Sequence, residues 1–235
     1  MGKQPGRAID DVNYRIAVGA HVNARLQADP KAFRLPCGDL LDIYVVRDFL
    51  DERDCRALIA QIDANNQPSK IFAYDGYKGD PGFRTSHSCD VDPLNETVLR
   101  VENKLTGLFG IAPAHGETIQ GQRYLAGQQF KPHYDFFHAG EAYWEEVARA
   151  GGQRTWTAMV FLNDVEGGGE TNFNNVAAKV TPRRGNLLCW NNMDGIGQPN
   201  TYAMHQGCPV SAGTKYIITK WYRERPWSYT EASPY

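Results

Sequence analysis

Beyond Glu117 the chain is written as a succession of short apolar segments: ETIQGQRYL, FKPHYDFF, TWTAMVFLN, TNFNN, AKVTP, NLLCW, YAMHQG and TKYIITKWY. Most are separated by Gly, Pro, Asn or Asp. Runs this short, closed by turn residues, fit strands of a sandwich, barrel or jelly roll. One insertion, HAGEAYWEEVARAGGQR over 138–154, breaks the series and has room for one or two helical turns. Upstream the pattern is helical. Ile9, Val12, Ile16 and Ala20 keep helical steps over 9–28, ending near Asp29-Pro30. LDIYVVRDFL is a β-rich run, and a second helix begins near Asp51 with Cys55, Leu58, Ile59 and Ile62 on one face. PLNETVLRVENKLTGLFG predicts a third helix, stopped by Gly110. Residues 74–90, YDGYKGDPGFRTSHSCD, read as a loop long enough to be functional. The expectation is one α+β domain over 1–235: mainly helical support over 1–70, a β-rich core over 71–225 and a tail over 226–235.

Of the 235 residues, 42% are apolar, enough for a sizeable core. The net charge of −2 argues against a fold built to bind nucleic acid through phosphate contacts. The five cysteines form no C-x-x-C pair, which argues against a disulfide framework or zinc knuckle and for thiols in a reducing compartment. The first residues lack a signal-peptide core, position 6 is Gly where a myristoylation pattern needs Ser or Thr, and no apolar run reaches a membrane span. A cytoplasmic protein, monomeric or homodimeric and without membrane or nucleic-acid partners, is expected.

The segment FKPHYDFF holds His133 and Asp135 two residues apart. On an extended strand they share a face. With six histidines and 27 acidic residues, about 0.7 such pairs arise from composition alone, so the pair is weak evidence by itself. A second match, His115-Gly116-Glu117, has a Gly at its centre and reads as a decoy. Two His and a carboxylate on one side of a metal make the facial triad of non-haem iron oxygenases, which requires a distant His. His205, late in the strand series, is the candidate; His21, His87 and His138 lie on the first helix, in the 74–90 loop and in the insertion. After a turn, Lys215, Ile217, Thr219 and Trp221 share one strand face. A Lys on a buried face needs an anion. It is either an ammonium binding a carboxylate inside a barrel or an edge Lys in solvent. Tyr124 either donates its hydroxyl to that carboxylate or packs within its strand.

Together these residues resemble the prolyl 4-hydroxylase group of Fe(II)/2-oxoglutarate-dependent dioxygenases: H-x-D, a distant His, and a Lys ten residues on. RYLAGQQFKPHYDFF is similar to the group's Tyr-x-x-Gly approach to the first ligand strand, and FLNDVEGGGETNF to its strand ending in Gly-Gly-Glu-Thr. RRGNLLCWNN resembles the segment before the second His, HQGCPVSAGTKYIITKW the closing hairpin, and FRTSHS the Arg-Thr-Ser loop. The resemblance implies a double-stranded β-helix, a jelly-roll variant, with supporting helices. It implies Fe(II) held by His133, Asp135 and His205, and 2-oxoglutarate anchored at its far carboxylate by Lys215 with Tyr124 and Thr171. It places Arg84, Ser86, Glu117, Arg154 and Trp221 near the substrate. The implied reaction consumes O2, with ascorbate as reductant, and hydroxylates a C–H bond, foremost the 4-position of a prolyl residue in a peptide or protein, releasing succinate and CO2. The same chemistry on a free amino acid or other small molecule is the first alternative. A non-catalytic jelly-roll binding protein is the second; it predicts a missing ligand or a missing Lys. The 74–90 loop and the 138–154 insertion are either lids over an extended, proline-rich peptide or solvent loops.

Overall fold

The computed structural model describes residues 5–70 and 80–227. Residues 74–79 of the expected loop and the tail from 228 lie outside them. Helix α1 (Pro5–Ala28) leads into β1 (Ala32–Arg34), β2 (Ile43–Val46) and α2 (Glu52–Asn65). Next come β3 (Gln67–Pro68), β4 (His87–Asp90), α3 (Glu96–Phe109), β5 (Gln120–Tyr124), β6 (Phe130–His133) and α4 (Trp144–Arg149). The remaining strands are β7 (Arg154–Phe161), β8 (Gly167–Gly168), β9 (Thr171–Phe173), β10 (Ala178–Val180), β11 (Leu187–Asn191), β12 (His205–Gly207), β13 (Val210–Ala212) and β14 (Lys215–Arg223).

The helices start and stop where their end groups find partners. Asp51 caps α2 by accepting from the Asp54 backbone N–H, and Asn95 caps α3 by accepting from Thr97. Gly110 ends α3 in the left-handed conformation, φ 67°. Helix α1 starts at Pro5, upstream of the expected residue 9. The 74–90 segment is corrected at its end: His87–Asp90 is a strand paired with β5. Its sequence HSCD has no apolar alternation to reveal it, because both of its faces are only half-buried or exposed.

Antiparallel pairing builds an eight-stranded sheet in the order β1-β2-β11-β7-β14-β5-β4-β3 and a four-stranded sheet in the order β10-β9-β12-β6. A short β13–β8 pair forms a third, two-stranded sheet. The central strands of the large sheet, β11, β7 and β14, are buried on both faces. On β7, Trp156, Ala158 and Val160 enter a core shared with α1, α2 and α3, while Met159 and Phe161 enter a second core shared with Phe173, Ala203 and Val210. This is period-two alternation with both sides apolar. On β14 the same alternation sends Ile218 and Tyr222 to the helical side and Ile217 to the inter-sheet side. Helix α2 seats closely on β5 because Gly121 has no side chain; a Cβ there would lie 2.4 Å from Ile62 Cγ1. The result is an α+β fold whose double-stranded β-helix core opens between its two sheets. No described helix is long and apolar enough to cross a membrane.

Candidate metal centre

His133 closes β6, an edge strand of the smaller sheet, and His205 opens β12; the two stand directly opposite each other in the antiparallel register. Asp135 lies not on β6, as expected, but in the bend just after it. The bend still brings its carboxylate under both imidazoles. His133 Nδ1 contacts the Lys131 carbonyl at 2.8 Å, and His205 Nδ1 contacts the Ala203 carbonyl at 3.0 Å. A carbonyl only accepts, so each Nδ1 carries the hydrogen and each Nε2 keeps a free lone pair. Those Nε2 atoms lie 3.8 and 3.9 Å from Asp135 Oδ1.

The three side chains are buried and their ligand atoms lie within 4.8 Å of one another; among the described residues no other group of His, Cys, Asp or Glu does this. Burial, then the neighbouring His205, pushes His133 down to about 3, so its imidazole is neutral at ordinary pH. Burial also pushes the Asp135 carboxyl upward, but His205, His133, Arg154 and the Thr157 hydrogen bond together hold the group below the usual carboxylate range. Phe130 stacks on His133 with centroids 3.5 Å apart, and Trp190 meets His205 edge-on at 4.6 Å. Two imidazoles with their Nε2 atoms turned to one carboxylate are the donor set of an Fe(II) facial triad.

From the triad a pocket runs between the sheets to Lys215, with Tyr124, Thr171, Ile217, Thr219 and Trp221 along its walls. Lys215 is 2% exposed. Its Nζ sits over the rings of Tyr124 and Phe161, at 5.4 and 5.6 Å, and burial pulls its pKa down to about 8. Thr171 Oγ1 is buried without a hydrogen-bond partner. A desolvated ammonium and an orphaned hydroxyl lining one pocket fit a carboxylate that would satisfy both. Tyr124 lines this pocket, but its hydroxyl donates to Gln122 Oε1 at 2.9 Å.

The residues expected near a substrate separate into two groups. Arg84 and Trp221 line the pocket; Ser86, Glu117 and Arg154 lie behind it. Ser86 pairs with Ser69 and accepts from Arg84 Nε. Glu117 is gripped by the Arg154 fork at 2.6 and 2.7 Å and by Arg223 Nε at 2.6 Å. Burial alone would raise its pKa, but the two guanidinium groups hold it below the ordinary range. Arg154 in turn lies over the Trp221 ring at 4.0 Å, which links Glu117 to the pocket lining through Arg154. His115, of the decoy pair, turns away to Tyr14 and the Arg223 carbonyl.

Sequence reasoning missed Gln122, Thr157, Trp190 and Asn192. Gln122 was within reach: it precedes Tyr124 by two on one strand and lines the same pocket. Its amide donates to Thr219 Oγ1 and to Gln120 Oε1, which also accepts from Arg84.

Comparison with known proteins places this pocket in context. Residues 119–223, which hold all three triad members and Lys215, match the family model described as the 2OG-Fe(II) oxygenase superfamily. Probable prolyl 4-hydroxylase 3 of Arabidopsis thaliana is 31% identical over 199 residues, covering 76% of this chain and 68% of that protein. Probable prolyl 4-hydroxylase 8 of the same plant is 30% identical over 200 residues, covering 76% and 67%. Among solved structures, the viral collagen prolyl hydroxylase of Paramecium Bursaria Chlorella virus-1, in its 2OG complex, is similar with a TM-score of 0.59 and 26% identity, over 80% of this chain and 99% of that one.

Proposed function

The chain belongs to the prolyl 4-hydroxylase group of the 2OG-Fe(II) oxygenase superfamily, and from that premise we propose that it hydroxylates the 4-position of a prolyl residue in a peptide or protein. One observation carries the reading. A His-Asp-His cluster and a buried ammonium without an ion-pair partner among the described residues line one pocket. A metal chelated by a keto acid with a distal carboxylate would engage both at once.

In this reading Fe(II), 2-oxoglutarate and O2 supply the oxidising chemistry, with succinate and CO2 as by-products and ascorbate as reductant. The chain's residues bind, orient and exclude water. His133, Asp135 and His205 would hold the metal from one side, leaving its other positions turned to the pocket. Lys215 acts as a point charge for the distal carboxylate, and Thr171 Oγ1 donates to it. Tyr124 joins them by exchanging Gln122 for the carboxylate. Met159, Ile217 and Trp190 give the pocket apolar walls that keep it dry. Arg84 and Trp221 meet the substrate at the pocket lining, with Arg154 and Glu117 holding the Trp221 ring from behind.

The test is succinate formation by the purified protein with Fe(II), ascorbate and 2-oxoglutarate in air, with and without proline-containing peptides. The expected result is succinate that rises with a peptide, and a peptide heavier by one oxygen atom. Succinate with no peptide effect would move the substrate to a small molecule. No succinate from metal-loaded protein would overturn the enzymatic reading.

A further inference from the structure

The two oxygens of Asp135 are used differently. Oδ1 faces Nε2 of both histidines, while Oδ2 accepts a hydrogen bond from Thr157 Oγ1 at 2.7 Å. Thr157 Oγ1 accepts from Asn192 Nδ2 at 2.9 Å, and Asn192 Oδ1 accepts from Trp190 Nε1 at 3.0 Å. Thr157 and Asn192 are fully buried, and Trp190 is buried opposite Thr157 in the β11–β7 pairing.

Direction in this chain follows from chemistry. An indole N–H only donates, so Trp190 fixes Asn192 with its oxygen toward the ring and its amide N–H2 toward Thr157. A hydroxyl has one hydrogen. With Asn192 donating into its lone pair, the Thr157 hydrogen is directed at Asp135 Oδ2. The same Trp190 ring packs edge-on against His205. One indole therefore touches one triad member directly and reaches another through two buried polar groups.

We infer that Trp190, Asn192 and Thr157 form a one-way hydrogen-bond relay that presents Asp135 to the metal through Oδ1 alone. These are positioning residues, and the inference rests on the metal centre proposed above. With Oδ2 released, the carboxylate could swing to chelate through both oxygens and take up a position otherwise open to the pocket. Metal affinity and coordination number are thus set from two strands that carry no ligand. Hydrogen-bond partners behind metal ligands typically govern affinity by roughly 10–100-fold.

The test is titration of metal-free full-length protein with Co(II), read by visible absorption, which reports affinity and coordination number independently of turnover. Thr157→Val keeps the shape and removes the donor. It is expected to weaken Co(II) binding by roughly 10–100-fold and to change the absorption band. Thr157→Ser is expected to restore both. Trp190→Phe keeps the ring against His205 and removes only the indole donor; it is expected to weaken Co(II) binding in the same direction. Parent-like affinity and spectrum in either Thr157→Val or Trp190→Phe would overturn the relay. Failure of the parent itself to bind Co(II) would instead overturn the metal centre, and the relay with it.

Discussion

Lys215 and Tyr124 stand opposite each other across the β14–β5 pairing, and the Lys215 Nζ lies 5.4 Å from the Tyr124 ring centroid. The ammonium makes no hydrogen bond or ion pair with another described residue, so the fold holds it at a cost that a bound carboxylate would relieve. Lys215→Met should therefore give a ligand-free protein at least as stable as the parent, yet unresponsive to 2-oxoglutarate. With Mn(II) and 2-oxoglutarate at 100 times its Kd, the parent should gain about 2.7 kcal/mol. That is a rise in Tm of roughly 5–11 °C for a chain of this size. A thermal shift of similar size in Lys215→Met would remove Lys215 from the cosubstrate site.

Burial also gives Lys215 a pH signature. Its pKa falls from 10.5 to about 8 in the folded protein. Between those values the unfolded chain binds more protons, so this group makes stability rise with pH across that window and leaves it flat below. Because the charged form is the one that holds a carboxylate, 2-oxoglutarate affinity should weaken about tenfold per pH unit above pH 8. Chemical denaturation of parent and Lys215→Met across pH 7–10, with calorimetric titration of the cosubstrate, checks both halves. Parallel stability curves for the two proteins would refute the assignment.

Glu117 should matter to stability before it matters to substrate. Glu117→Gln leaves Arg154 and Arg223 buried without their shared anion, at a cost of about 3–5 kcal/mol, measurable by urea unfolding. The sign with pH is opposite to that of Lys215. The folded carboxyl is held below its ordinary value of 4.5, so its contribution is complete above that pH and lost as pH falls through the depressed value. A parent-like urea midpoint in Glu117→Gln would show that the buried cluster is energetically idle.

Gly121→Ala separates packing from chemistry. The added methyl meets buried Ile62 on α2, on the face of β5 opposite Tyr124. Overpacking of this kind costs about 1–3 kcal/mol. Co(II) affinity should stay at the parent value while the Tm falls. A loss of Co(II) affinity matching that of His205→Ala would mean that the helical layer controls the metal centre.

The parts of the site legible in the sequence are those encoded by spacing along a single strand or hairpin. His133 and Asp135 are two residues apart, and Lys215, Ile217, Thr219 and Trp221 alternate on β14, so strand periodicity alone predicts a shared face. Even there the structure intervenes, since β6 ends at His133 and a bend carries Asp135. Thr157, Asn192 and Trp190 were not legible. Their convergence depends on the β11–β7 register, which tertiary pairing sets and which one strand's pattern does not contain. Strand β4 escaped because a polar, half-buried segment shows no apolar alternation. Glu117 was found through a family resemblance that placed it near substrate. Only the fold reveals that its charge is consumed by Arg154 and Arg223.

The pairing of His133 with His205 joins the edge strand β6 to β12, and 71 residues of chain lie between those two positions. As the chain is synthesised, His133 and Asp135 emerge together, and the third member, His205, follows only with β12, which pairs with β6 and β9. Half of this site is a poor trap for any cation, because binding strength here grows out of folded geometry. A metal held by all three side chains therefore requires the β6–β12 pairing to be in place. Once bound, the metal acts as a clasp, and the backbone amides of β6 and β12 should exchange with solvent more slowly in the metal-loaded protein than in the metal-free one.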